Sequence, residues 1–269
     1  MRKILYLLLV VTAGFLAGCQ SNPPSETRGI DMTQTEPDEG QITERADGRT
    51  RAEVHTELAS AYYGAGRLGV AMEETRIALA ADPTYAPAYN MQGLVSLDMR
   101  DHAAAEQAFK KGLQLAPTDA DLNHNYGWFL CRVGRETEST QWFLAAIKNP
   151  LYATPARTYS AAATCLHSKS PREAQEFYET ALRMDPNNPL TLQSYAQLQY
   201  ERGNYAAAYE LLARYNRVTK EPNAEALWLA LRVARKQGDR GSEASFASQL
   251  RRRFPQSPEA NALQRGAFD

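Results

Sequence analysis

Ala105-Glu106-Gln107-Ala108-Phe109-Lys110-Lys111-Gly112-Leu113-Gln114-Leu115-Ala116-Pro117 decides the fold, because its small, aromatic and proline positions recur along the chain. The proline returns as Pro83, Pro117, Pro186 and Pro255, at separations of 34, 69 and 69 residues. These are one, two and two periods of about 34.5 residues. The small residue with a ring four places later returns as Ala174 and Tyr178. A period of this length means a stack of units, each too small to bury its apolar face except against its neighbours.

Aligned on that period, Leu58, Ala59 and Tyr62 fall on a first helix, and Ala71 and Ala78 on a second. The next unit supplies Gly93, Ala105, Phe109 and Pro117, and a third Tyr126, Gly127, Leu130, Gly134, Phe143 and Ala146. A fourth has Ala162, Ala174, Tyr178, Ala181 and Pro186, a fifth Tyr195, Ala196, Gly203, Ala208 and Leu212, and a looser sixth runs from Asn223 to Pro255. Small residues let paired helices approach, and the ring fills the space between them. The pattern resembles the tetratricopeptide (TPR) repeat, which implies an all-α superhelical solenoid of about six helix-turn-helix repeats over residues 52–255. Helix starts agree: Asp119 follows Thr118, Asn188 precedes Pro189, and Ser170-Pro171-Arg172-Glu173 matches a capping box. Ser257 and Pro258 begin a last helix, which makes 256–269 a cap over the exposed end.

Before the repeats, Arg2 and Lys3 lead an apolar run from Ile4 to Leu16, too short for a comfortable membrane span and typical of an export signal. The run ends Leu16-Ala17-Gly18-Cys19, which resembles a bacterial lipobox. That resemblance implies a signal peptide over 1–18 and an acylated Cys19 anchoring the chain in lipid, with Gln20 directing it to the outer membrane, facing the periplasm. Residues 19–51 contain no aromatic and show no apolar period, and read as the lipidated cysteine and a flexible linker. With Cys19 lipidated, Cys131 and Cys165 remain as an even pair in an oxidising compartment. Their 34-residue separation puts them at equivalent positions of neighbouring first helices and predicts a disulfide, with two buried free thiols as the other outcome.

Charge and composition narrow the function. Thirty Lys and Arg against 31 Asp and Glu leave no positive excess to hold a nucleic acid, and 43% apolar residues fit a globular chain. Gly64 to Gly69 matches G-x-G-x-x-G but sits between two helices with no strand before it, so its glycines belong to a turn. His124 and Cys131 share a helical face without an orienting acid or oxyanion site. His55, His102, His124 and His167 have no metal-ligand spacing. Arg251, Arg252 and Arg253 suit the C-terminal end of a helix. No catalytic residue, metal, cofactor or small-molecule substrate is expected.

What remains is binding. The TPR resemblance implies a concave groove lined by first helices, here by Tyr63, Asn90, Leu94, Leu97, His124, Trp128, Tyr159, Gln193 and Tyr200. A carboxylate clamp would need Lys or Arg at the fifth and ninth positions, where Thr56, Ser60, Asn90, Leu94, His124 and Trp128 stand instead. Leu94, Leu97 and Trp128 predict an apolar, aromatic surface for an amphipathic or extended partner.

The middle repeats carry a closer resemblance. Asn125-Tyr126-Gly127-Trp128-Phe129-Leu130-Cys131, Gly134-Arg135, Asn149-Pro150-Leu151-Tyr152-Ala153-Thr154-Pro155 and Cys165 resemble the type IV pilus biogenesis and stability lipoproteins. These TPR proteins of the PilW/PilF type act as pilotins for the outer-membrane secretin. His124, Ser139 and Thr164 depart from that pattern, where Asn, Ala and Gly are expected. The resemblance implies a non-enzymatic protein that binds the secretin subunit and promotes its multimerisation at the outer membrane, with room for other pilus assembly proteins as partners. The competing reading is an outer-membrane TPR adaptor for envelope proteases or cell-wall enzymes.

Overall fold

A computed structural model describes residues 39–268 of the chain, with side chains from Asp47. Among them are thirteen α-helices and no strand. Six antiparallel pairs follow one another: α1 (Glu39–Gly64) with α2 (Leu68–Ala81), α3 (Ala86–Asp98) with α4 (His102–Leu115), and α5 (Ala120–Arg132) with α6 (Glu136–Ile147). They continue as α7 (Pro155–Leu166) with α8 (Pro171–Met184), α9 (Pro189–Glu201) with α10 (Tyr205–Val218), and α11 (Ala224–Gln237) with α12 (Arg240–Arg253). A short α13 (Pro258–Arg265) closes the stack. Each first helix packs on its own second helix, and each second helix on the first helix of the next pair. This is the TPR solenoid.

Close approach within a pair is visible at the glycines. A Cβ on Gly93 would stand 2.7 Å from the ring of Phe109, and one on Gly127 would stand 3.0 Å from Phe143. The rings of Phe109, Phe143 and Tyr178 are fully buried between the helices of their pairs. In four pairs the turn uses a left-handed glycine: Gly66, Gly134, Gly203 and Gly238 take φ between 73° and 80°. In the second pair Arg100 takes that conformation, with φ 64°. Its Cβ meets the steric penalty that glycine avoids.

Helix starts follow the sequence closely. Asp119 and Asn188 accept hydrogen bonds from the amides of Leu122 and Thr191, and Ser257 accepts from Ala260. Ser170 stands at the start of α8, but its hydroxyl makes no capping bond, so the expected capping box is not formed. At the far end α13 places Ala260 and Leu263 over Leu227, Leu231 and Leu250, covering what would be an exposed apolar edge.

One boundary moves. Residues 39–51, expected as part of the linker, are helical, since α1 begins at Glu39. The extra turns are held by small residues: Ala52 is fully buried, and a Cβ on Gly48 would meet the Ala81 carbonyl oxygen at 2.7 Å. Small contacts of this kind leave no apolar period to read. The expected signal peptide and the lipidation site Cys19 lie outside the described residues.

Candidate functional site

First helices α5, α7, α9 and α11 line a groove made of two adjoining clefts. The first, about 340 Å³, lies among His124 and Trp128 of α5, Arg157, Ser160 and Thr164 of α7, and Leu190 and Ser194 of α9. The second, about 310 Å³, takes in Gln193 and Gln197 of α9, Glu225, Trp228 and Arg232 of α11, and Glu259 of α13. Thr164 and Ser194 belong to both, so the clefts are continuous.

Hydrogen bonds between neighbouring first helices hold this surface in register. The Tyr63 hydroxyl donates to Asp98, the Asn125 amide to Asn90, and the Arg232 guanidinium to Gln197, each across 35 residues. His124 and Thr158 join at 2.7 Å and His167 and Glu201 at 2.7 Å, each across 34. Burial raises the Tyr63 hydroxyl to about 12, with the Asp98 carboxylate adding to it. Burial alone would raise Glu201, but hydrogen bonds from Gln197 and His167 outweigh it and hold the carboxyl below its ordinary value. His124 is only 3% exposed, and that burial pushes its imidazole down to about 4, helped by the charge of Arg157.

Of the residues expected in the groove, His124, Trp128 and Gln193 line it. Leu97 does not. It is 3% exposed and packs in the core with Ala105, Phe109 and Leu122, because its side of α3 faces α4 and α5. Tyr159 turns to α8, its ring 5.9 Å from that of Phe177, and Leu94 packs against the core clusters that join the first pair to the second and the second to the third. Tyr200 lies under the Arg232 guanidinium at 4.6 Å, while Tyr63 and Asn90 are engaged in the links just described. Arg157, Leu190, Trp228 and Arg232 were not expected. Adding 35 residues to Gln193 and Gln197 reaches Trp228 and Arg232, so one more period would have found them.

The Cys131 and Cys165 sulfurs are joined in a disulfide between α5 and α7, with Cα atoms 5.6 Å apart. The His124 and Cys131 pair therefore holds no free thiol. No cluster of metal-ligating side chains occurs among the described residues.

Models of the tetratricopeptide repeat match residues 86–119 and 166–232. The type IV pilus assembly protein PilF of Pseudomonas aeruginosa is 27% identical over 265 residues, covering 97% of this chain and 96% of its own length. The crystal structure of PilW, described as a widely conserved type IV pilus biogenesis factor, superposes with a TM-score of 0.75 at 25% identity, over 79% of this chain and 98% of PilW. A structure of Pseudomonas aeruginosa PilF gives 0.71 at 28% identity, over 82% and 99%. Along nearly its whole length the chain is thus similar to type IV pilus biogenesis TPR proteins.

The segments that carry the PilW/PilF resemblance hold the middle of the stack together. Asn149 donates to the Thr118 carbonyl and accepts from the Leu151 amide, fixing the loop into α7. The Tyr152 hydroxyl reaches Thr158, the residue bonded to His124. Ser139, where alanine was expected, is fully buried, with its hydroxyl on the Glu136 carbonyl and 3.1 Å from the Cys165 sulfur. Thr164 is exposed in the groove, and its hydroxyl meets that of Tyr178.

Proposed function

We propose that this protein is a lipid-anchored pilotin: acylated Cys19 holds it in the outer membrane, and the groove binds an unassembled secretin subunit on the periplasmic side. The observation that carries the reading is the match to a pilus assembly protein along 97% of the chain, and the open groove between first helices supports it. Scaffolds of this kind act by holding partners. A tethered binder raises the local concentration of its client at one membrane without new contacts, so the multimer forms in the right bilayer.

The test is a chromosomal deletion complemented with the native chain, Cys19→Ala or Trp128→Ala. Deletion is expected to remove secretin multimers from the outer membrane and pili from the surface. Cys19→Ala is expected to abolish acyl labelling and outer-membrane fractionation. Trp128→Ala should keep lipidation and helicity while weakening client capture about thirtyfold, the usual loss for an aromatic anchor. Arg172→Ala, an exposed position on α8, is the control. Normal secretin multimers in the deletion strain would refute the pilotin reading and favour the adaptor for envelope proteases or wall enzymes.

A further inference from the structure

Beyond the groove, the end of the stack holds a cleft of about 730 Å³ between α12 and α13, lined by none of the groove's residues. Its floor is apolar: Leu231 of α11, Ala247 of α12 and Leu263 of α13 are buried there. Its rim is basic, with Arg240 and Arg251 on α12 and Arg265 on α13. Eleven residues of helix make three turns and about 20°, so Arg240 and Arg251 share one face, about 16 Å apart along it. Phe268 rests under Arg235, the partner of Glu243, which sets the end of α13 beside the start of α12.

All three arginines are exposed, and none makes a hydrogen bond or ion pair among the described residues. The acids near them are committed. Glu243 lies in the cleft but is held by the Arg235 guanidinium at 2.7 Å, and Asp239 caps α12 by accepting from the Ser242 amide. Asp269 lies outside the described residues. With it counted, residues 235–269 still carry seven Lys and Arg against four Asp and Glu, in a chain whose net charge is -1. Helix ends favour a cation at Arg251 and Arg265, which stand in last turns, but oppose one at Arg240, the first residue of α12. Arg240 therefore answers to the cleft it lines and not to its helix.

A guanidinium fork matches a carboxylate, and forks around an apolar floor match carboxylates that flank an apolar side chain. A flat lipid surface does not enter a recess between two helices, whereas a peptide segment does. We propose that this cleft is a docking site, separate from the groove, for an extended acidic segment of a protein partner, with two carboxylates four residues apart and an apolar side chain midway. In an extended chain these three side chains point the same way and span about 13 Å, and the reach of the side chains covers the rest of the distance from Arg240 to Arg251. One carboxylate meets Arg251, the other meets Arg240 and Arg265, and the apolar side chain rests on Ala247 and Leu263. The site stands whether or not the groove holds a secretin subunit.

The experiment uses the full chain in a neutral detergent and the labelled, end-blocked peptide Glu-Ser-Leu-Ser-Glu, beside counterparts with both glutamates as glutamine or the leucine as serine. The native protein is expected to bind the glutamate peptide about tenfold more tightly than the glutamine one, the size of two exposed ion pairs, with a margin that shrinks in high salt. The serine counterpart should lose about fivefold, for a leucine half removed from water. Arg240→Glu and Arg251→Glu should each weaken the glutamate peptide about fivefold, with circular dichroism checking the fold. Arg252→Glu makes the same charge change one residue away and outside the cleft, and should leave the affinity nearly unchanged, as should Trp128→Ala. Equal affinity for the glutamate peptide and either counterpart, no binding at millimolar peptide, or equal losses in Arg251→Glu and Arg252→Glu would overturn the inference. So would displacement of the peptide by anionic phospholipid added to the micelles, which makes the cleft a lipid site, or a loss in Trp128→Ala, which puts the peptide in the groove.

Discussion

His124 should make the fold acid-sensitive in a pH range where carboxylates are still ionised. Its ring is 3% exposed, bonded to Thr158 and close to Arg157, and its folded pKa lies at about 4 against an ordinary 6.5. Between those values the unfolded chain binds a proton that the folded chain refuses. Stability is therefore whole above about pH 6.5, falls as pH drops, and stops falling from this source near pH 4. The full loss is about 3 kcal/mol, and between pH 7 and 5 it is about 2 kcal/mol. The assay is urea unfolding at half-unit steps from pH 7.5 to 4.5, on the native chain and on His124→Asn. Asparagine leaves a polar side chain near Thr158 and removes the titration. The other side chains are common to both proteins and cancel in the difference. So does Glu106, whose carboxyl Lys110 and then Arg135 hold down at about 2. The two stability curves should converge by about 2 kcal/mol between pH 7 and 5. Curves that stay parallel would mean that the His124 site accepts a proton as readily as water does, and the reasoning from burial would fail.

Three further outcomes are expected. Cys131→Ser and Cys165→Ser should each lower the unfolding free energy by about 3 to 4 kcal/mol under non-reducing conditions, from the loop closed across 34 residues; chemical denaturation measures it, and the two variants should agree. Arg100→Gly should raise stability by about 1 kcal/mol, since it relieves a left-handed residue at φ 64° where four other pairs use glycine; thermal unfolding checks the sign. Phe109→Ala should cost about 3 to 5 kcal/mol, because it empties the space that Gly93 leaves open for the ring.

The repeat and its helix starts were legible because they depend on residue types that stand out: prolines at one period, rings four places after small residues, and Asp, Asn and Ser before first turns. The start of α1 was not, since Gly48 and Ala52 make their contacts with backbone and methyl surface. The groove was half legible. Assigning Leu97 and Tyr159 to it used position within the repeat, and that position does not distinguish the concave side from the sides facing the second helix and the next pair. Its cationic wall escaped notice because Arg157 stands one residue before Thr158, off the positions expected to face inward. Continuing the period into the sixth pair would have added Trp228 and Arg232.

The links between neighbouring first helices also set how this chain can be built. Hydrogen bonds from Tyr63 to Asp98, Asn125 to Asn90 and Arg232 to Gln197 each span 35 residues, and the disulfide spans 34. A chain with contacts of such short reach has low contact order and folds quickly. If it crosses a membrane from its N-terminus, each helix pair has its partner in place as soon as the next emerges, and no segment waits exposed for a distant one. The covalent step between Cys131 and Cys165 becomes available once the fourth pair has begun to emerge. From then on the first half of the solenoid is a locked template against which the remaining pairs add in order.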